Sequence, residues 1–222
     1  AEGLVLSDGQ VSGRLGWLPR QRLDWLVLVN GEGLWSVLDP TWETLVPRPC
    51  GLQACGGIEV HLDGHGCEQI GGPDQAQLAL SEGRLLAGAV LLGAARDAHL
   101  AAAKYAQERI AFGRPIAHHQ GLAFQLADAA TDLDAAQLLL EAAPGNPTLV
   151  ANAHAYAVEV ADRVCERSVQ ALGGHGYLYD HRIEKRMRDV RAVASLYGGV
   201  VCSEHDAACH VLDLPDPLEI RL

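Results

Sequence analysis

The chain has no basic cluster. Its 17 lysines and arginines are scattered among 28 aspartates and glutamates, for a net charge of −11. Nucleic acid and anionic membranes are bound by concentrated positive charge, so neither is expected as the main partner. No apolar run reads as long enough to span a membrane, and the opening Ala-Glu-Gly-Leu lacks the charged-then-apolar order of a signal peptide. A cytoplasmic location is the expectation. Cysteine is sparse too: six residues, irregularly placed over 222, make no disulfide framework, and free thiols are expected. The segment holding Cys50, Cys55, His61, His65 and Cys67 has soft ligands enough for zinc, but its spacing fits no common zinc module. A strand with buried thiols is the plainer reading, and no metal is expected. Internal repeats and low-complexity segments are also lacking.

What is present is a chain 49% hydrophobic and 20% charged, the balance of a globular protein able to bury one large core or two small ones. Residues 1–72 read as β structure. Leu4-Val5-Leu6 meets the turn Ser7-Asp8-Gly9, and Trp25 to Val29 meets Asn30-Gly31, a strong hairpin signal, with Leu34 to Leu38 returning. Ile58-Glu59-Val60-His61-Leu62 alternates with period two, as a half-buried strand does. At Gly71-Gly72-Pro73-Asp74 the composition turns to alanine and leucine and the apolar period lengthens to that of a helix, so a domain boundary is placed there.

Residues 73–222 are expected to form an antiparallel helical bundle. One helix runs from near Asp74 to Arg109 and is broken by Phe112-Gly113-Arg114-Pro115. A second carries Leu122, Leu126, Ala130, Leu133 and Leu140 on one face and stops at Pro144-Gly145-Asn146-Pro147. A third turns Ala153, Ala157, Val160 and Val164 inward, with Asp162, Arg163 and Glu166 outward. A short charged helix around Arg182–Arg188 and a last one from Val201 to Leu212 complete an α+β chain.

Three stretches in order carry a resemblance: Glu108-Arg109-Ile110-Ala111-Phe112-Gly113-Arg114-Pro115-Ile116 with Gln120, Gln170-Ala171-Leu172-Gly173-Gly174-His175-Gly176-Tyr177, and Arg188-Asp189. Together they resemble the C-terminal bundle of acyl-CoA dehydrogenases along its whole length. Gly13-Arg14-Leu15-Gly16-Trp17 and Asp24-Trp25 are similar, more loosely, to that family's middle β domain. The family's N-terminal helical domain and the early part of its β domain have no counterpart in these residues.

The matched residues also read chemically. Arg109 offers a fixed fork of donors suited to a diphosphate, and Gly173-Gly174 at a helix end lets backbone amides approach an anion. Gln120 and Gln170 suit ribose or adenine, and Phe112 gives apolar cover to a ring. The plain alternatives are an Arg109 paired with a nearby acid, glycines that only cap a helix, and solvated glutamines. The resemblance implies that these positions grip the ADP half of an FAD whose flavin lies in a neighbouring subunit.

Three departures from the family pattern stand out. The strand that offers a hydroxyl to the flavin reads Trp17-Leu18-Pro19, and proline supplies neither hydroxyl nor N–H. The glutamate that removes the α-proton of the thioester would fall at Gly198, within Leu196-Tyr197-Gly198-Gly199-Val200. The other place where some members put that base, directly before a family arginine here matched by Arg84, is Gly83. Glu82 is a weak candidate, since one helical residue turns a side chain by about 100°; a first-turn acid favoured by the dipole is its plainer reading. Glu204 and His205 are expected to face solvent.

The expectation is therefore a subunit of an FAD-dependent acyl-CoA dehydrogenase that has no base of its own. It would clamp FAD held by a catalytically complete partner, as in the paired dehydrogenases of actinobacterial steroid side-chain degradation, which it resembles and which assemble as heterotetramers. Acyl-CoA and an electron-transfer flavoprotein are the implied substrate and electron acceptor. A self-sufficient dehydrogenase using Glu82 and a flavin-free scaffold are the rival readings.

Overall fold

The computed structural model describes residues 2–44 and 50–212. Six strands form one antiparallel sheet: β1 (Glu2–Ser7), β2 (Gln10–Leu18), β3 (Leu26–Asn30), β4 (Gly33–Val37), β5 (Thr41–Thr44) and β6 (Ile58–Gly71). The long β6 organises it. Its first half pairs with β2 and β5 and its last residues with β4, giving the order β1-β2-β6-β4-β3. The Asn30-Gly31 hairpin forms where its dipeptide predicts, and Asn30 Oδ1 holds it by accepting from the Glu32 and Gly33 amides and from Trp35 Nε1.

Val11, Leu26, Val37, Ile58, Val60 and Leu62 make the core of the sheet. The alternation along β6 is broken at Glu59, which is buried although it belongs to the polar face. Arg14, on the neighbouring strand, supplies the countercharge that lets a carboxylate stay there, and His61 Nε2 lies 3.2 Å away. The cysteines depart from the expected buried thiols: Cys50 and Cys55 are exposed and Cys67 is half-buried. Among the described residues, no three of His, Cys, Asp and Glu converge as a metal site.

Helices follow as predicted in order: α1 (Pro73–Glu108), α2 (Gln120–Ala142), α3 (Pro147–Leu172), α4 (Ile183–Ala194) and α5 (Gly199–Leu212). By packing, residues up to Ser81 with 208–212 form one compact unit and Glu82–Ala207 a second. In the helical unit α1 buries Ala87, Leu91, Ala95, Ala98, Ala102 and Ala106 at steps of three and four, a stripe of small residues that allows close approach. α3 is sheathed by its neighbours and buries thirteen side chains. It starts sharply because Asn146 caps the Leu149 amide and Pro147 occupies the first helical position.

One sequence expectation needs correction here. α1 is long and apolar enough to cross a membrane, with a mean hydropathy of 1.4 over an 18-residue window. Alanine raises that average without forming a long aliphatic run, so the stretch escapes notice in the sequence. In the fold the same helix supplies a buried stripe of a bundle, which passes the same compositional test.

Candidate functional site

α1 ends on the Arg109 amide, which donates to the Tyr105 carbonyl, and the chain then makes a two-residue hairpin between β7 (Ile110–Ala111) and β8 (Arg114–Pro115). Phe112 and Gly113, at φ 53° and 79°, are its turn, the left-handed pair that a tight hairpin demands. Phe112 is therefore held at the tip with its ring 95% exposed, against only the edge of His119. A bulky residue in left-handed backbone costs on the order of 1 kcal/mol, and no burial repays it.

At the same end of the bundle α3 terminates in Gly173-Gly174-His175-Gly176, whose glycines are present for different reasons. Gly173 lies at φ 56°, and a Cβ on Gly176 would stand 2.4 Å from the Val169 carbonyl oxygen. Gly174 answers neither need, and nothing lies within 4 Å of where its Cβ would be. Its backbone is open to close approach from outside. Gln170, exposed one turn earlier, lines a shallow groove of about 350 Å³ with His119, Gly121, Leu122 and Gln125. Gln120, also exposed, opens α2 beside that groove. The structure thus brings Arg109, Phe112, Gln120, Gln170, Gly173 and Gly174 to one end of the helical unit.

The charges there are unlike those elsewhere in the unit. Arg84, Arg96, Lys104, Arg163, Lys185, Arg186, Arg188 and Arg191 each meet a carboxylate. Among the described residues, Arg109, Arg114, Arg167 and Arg182 do not. Arg109 and Arg114 flank the hairpin, Arg167 precedes Gln170 by one turn, and Arg182 follows the glycine turn. An acidic chain that pairs most of its cations leaves these four without a carboxylate among the described residues, Arg114 meeting His119 Nδ1 at 3.3 Å instead. The residues fit the ADP half of FAD: a bare guanidinium, an open glycine turn and two exposed amide side chains.

The other candidates lie elsewhere in the bundle. Gly83 is buried on α1, and a Cβ there would stand 2.4 Å from Cε1 of Tyr197, whose ring already fills the space. Gly198 has φ 84°, and a Cβ on it would stand 2.5 Å from that of Cys202. Both positions are thus closed by neighbours. Glu82 is exposed although Gly83 beside it is buried. Glu204 and His205 are exposed. In the β unit Trp17 lies against Gly57, its indole N–H without a partner among the described residues, and β2 ends just before Pro19.

Beneath Gly83 lies a polar core that sequence reasoning missed. Arg84 and Asp206, 3% and 4% exposed, pair at 2.5 Å between α1 and α5. One turn from Asp206, Ser203 bonds Nδ1 of the fully buried His154 at 2.8 Å. The signal was present in part: 203, 206, 207 and 209 form the buried face of α5, but a histidine and an aspartate do not announce burial.

Burial first, and the Arg84 charge second, lower the His154 pKa to about 4. Between pH about 6.5 and 4 the unfolded chain takes up a proton that the folded chain refuses. Stability from this residue is therefore constant above about pH 6.5, falls through that window by on the order of 3 kcal/mol, and levels below it. Urea midpoints at neutral and acid pH will show a smaller acid loss for His154→Asn than for the natural chain; equal losses would refute the assignment.

Residues 71–200 match the acyl-CoA dehydrogenase C-terminal domain, more than half of the chain. The chain belongs to the acyl-CoA dehydrogenase family, whose members use FAD. It is 39% identical over 135 residues to caffeyl-CoA reductase-Etf complex subunit CarC of Acetobacterium woodii, covering 58% of this chain and 35% of the relative. It is 36% identical over 140 residues to 3-sulfinopropanoyl-CoA desulfinase of Cupriavidus necator, covering 60% and 35%. The chain spans about a third of the length of these curated relatives. Among solved structures it superposes on the ChsE4-ChsE5 complex from Mycobacterium tuberculosis with a TM-score of 0.80 at 22% identity, over 97% of this chain and 64% of that one. Butyryl-CoA dehydrogenase from Megasphaera elsdenii gives 0.79 at 21%, over 94% and 62%. Identities this low show the fold alone.

Proposed function

We propose that this chain is a subunit of an FAD-dependent acyl-CoA dehydrogenase that supplies the ADP clamp but no catalytic base. Its partner would be a catalytically complete subunit in a heterotetramer of the cytoplasm. Glycine at both base positions, each closed by a neighbouring side chain, is the observation that carries the reading. A glutamate placed at Gly198 would have to displace Cys202 and adopt a left-handed backbone. The bare Arg109 beside the open Gly174 turn supports the clamp, and one curated relative carries the name of a multi-subunit complex. Exposed Leu86, Val90 and Leu100 on α1, with Phe124 and Leu138 on α2, are apolar surface of the kind that assemblies cover.

Arg109 would orient the diphosphate of FAD, Gln120 and Gln170 would hold its ribose and adenine side, and Phe112 would cover a ring. The chemistry the cofactor would supply is hydride acceptance from the β-carbon of the acyl thioester, with an electron-transfer flavoprotein as the electron acceptor. The partner's carboxylate takes the α-proton. A steroid side-chain thioester is the proposed substrate class.

The test is flavin absorbance and turnover of the chain purified alone and with its partner. The chain alone is expected to be colourless and inactive, since losing a positioned base removes roughly 10²–10⁴ from proton transfer. With its partner it should be yellow and active. Turnover by the single chain, abolished by Glu82→Gln, would establish a self-sufficient enzyme instead. A colourless complex would leave a scaffold.

A further inference from the structure

The clamp is assembled from two pieces of chain far apart in sequence. Arg109 stands at the end of α1, and the Gly173-Gly174 turn at the end of α3. Between them runs a direct polar link: Tyr105 Oη lies 3.1 Å from Nδ1 of His175, across 70 residues. Tyr105 is one helical turn before Arg109, so whatever holds the one holds the backbone of the other. His175 is the residue after Gly174.

The two rings also touch, with centroids 5.7 Å apart at 45°, and His181 stands edge-on to both. This small polar-aromatic cluster is solvent-accessible and outside the apolar core.

We infer that Tyr105 and His175 are positioning residues, a strut that sets the spacing between the Arg109 guanidinium and the Gly173-Gly174 turn and so tunes the grip on the diphosphate of FAD. The inference rests on the clamp reading above. A guanidinium fork and a row of backbone amides can share one diphosphate only when held within roughly half an ångström of the productive geometry. In the tautomer that carries its proton on Nε2, His175 accepts from the Tyr105 hydroxyl at Nδ1.

The experiment is a double-mutant cycle on the complex of this chain with its flavin-bearing partner, with FAD affinity as the readout and thermal midpoint as the control. Tyr105→Phe keeps the ring and removes only the hydroxyl. It should weaken FAD binding roughly 3–10-fold with the thermal midpoint unchanged. His175→Phe should do the same, the double variant should be no worse than either, and His175→Asn, whose carbonyl can accept from the hydroxyl, should recover most of the affinity.

Effects that simply add, or a Tyr105→Phe complex that binds FAD as tightly as the natural one, would overturn the strut. Arg109→Ala separates the two ideas. If it weakens FAD binding while Tyr105→Phe does not, only the strut fails; if neither does, the clamp itself is wrong.

Discussion

Asp206→Ala is expected to destabilise the chain by about 3–5 kcal/mol, the cost of leaving one partner of a buried ion pair without the other. Arg84 Nη2 is held 2.5 Å from Asp206 Oδ2 between α1 and α5, both side chains are nearly inaccessible, and among the described residues the Arg84 Nε–H has no partner. Removing the carboxylate strands a full charge in the helical core. The pair itself is worth far less than its half-deletion implies, because both groups were desolvated to form it. A double replacement, Arg84→Met with Asp206→Leu, should therefore recover most of the loss. Chemical denaturation of the two variants decides it. A single variant within about 1 kcal/mol of the natural chain would mean that water reaches the pair.

The same ion pair makes Arg84→Ala unsuitable as a control for cofactor binding. In the fold that substitution unpairs Asp206 and would lower flavin content through unfolding alone. Lys104, exposed on the same helix and in a loose pair with Glu108 at 4.0 Å, is the better control.

Arg109→Ala should lower the affinity of the assembled complex for FAD at least about tenfold, although this chain is proposed to hold no isoalloxazine. The estimate follows from charge-assisted hydrogen bonds worth roughly 1.5–3 kcal/mol each. Because Arg109 is exposed and meets no carboxylate, its loss leaves no buried charge behind, and folding stability should not change. Lysine should restore only part of the affinity, since a point charge cannot copy a bidentate fork. Equilibrium dialysis of the deflavinated complex measures it. Unchanged FAD binding with Lys104→Ala and Arg109→Ala alike would remove the clamp and favour a scaffold.

How far the site was legible differs from residue to residue. Gly173, Gly174, Arg109 and Phe112 were visible because their residue types are unusual for the elements they end, and an unusual residue leaves a mark in a linear string. The distinction among the glycines was not visible. Gly176 is required by the carbonyl of Val169, Gly173 by its backbone angle and Gly174 by neither. Tyr105 and His175 read as an ordinary helix residue and a variable motif position until α1 and α3 come together. Glu59 was assigned to a solvated face by alternation and is buried, since a cross-strand arginine can outweigh a pattern.

Local rules, which act over a few residues, were sufficient for the order and type of the elements. Asn30-Gly31 turned the chain, Pro144 to Pro147 separated α2 from α3, and the change of apolar period after Gly71 moved the chain from sheet to bundle. That glycine stands at 83 and 198 is likewise a fact of the sequence. Only the tertiary structure decided what occupies the space above Gly83, because the Tyr197 ring arrives there by packing, whereas Cys202 meets Gly198 as its neighbour one helical turn along the chain. It also decided which cations are neutralised and which are left bare at one end of the bundle, since a charge is paired by its neighbours in space and the sequence records only its neighbours along the chain.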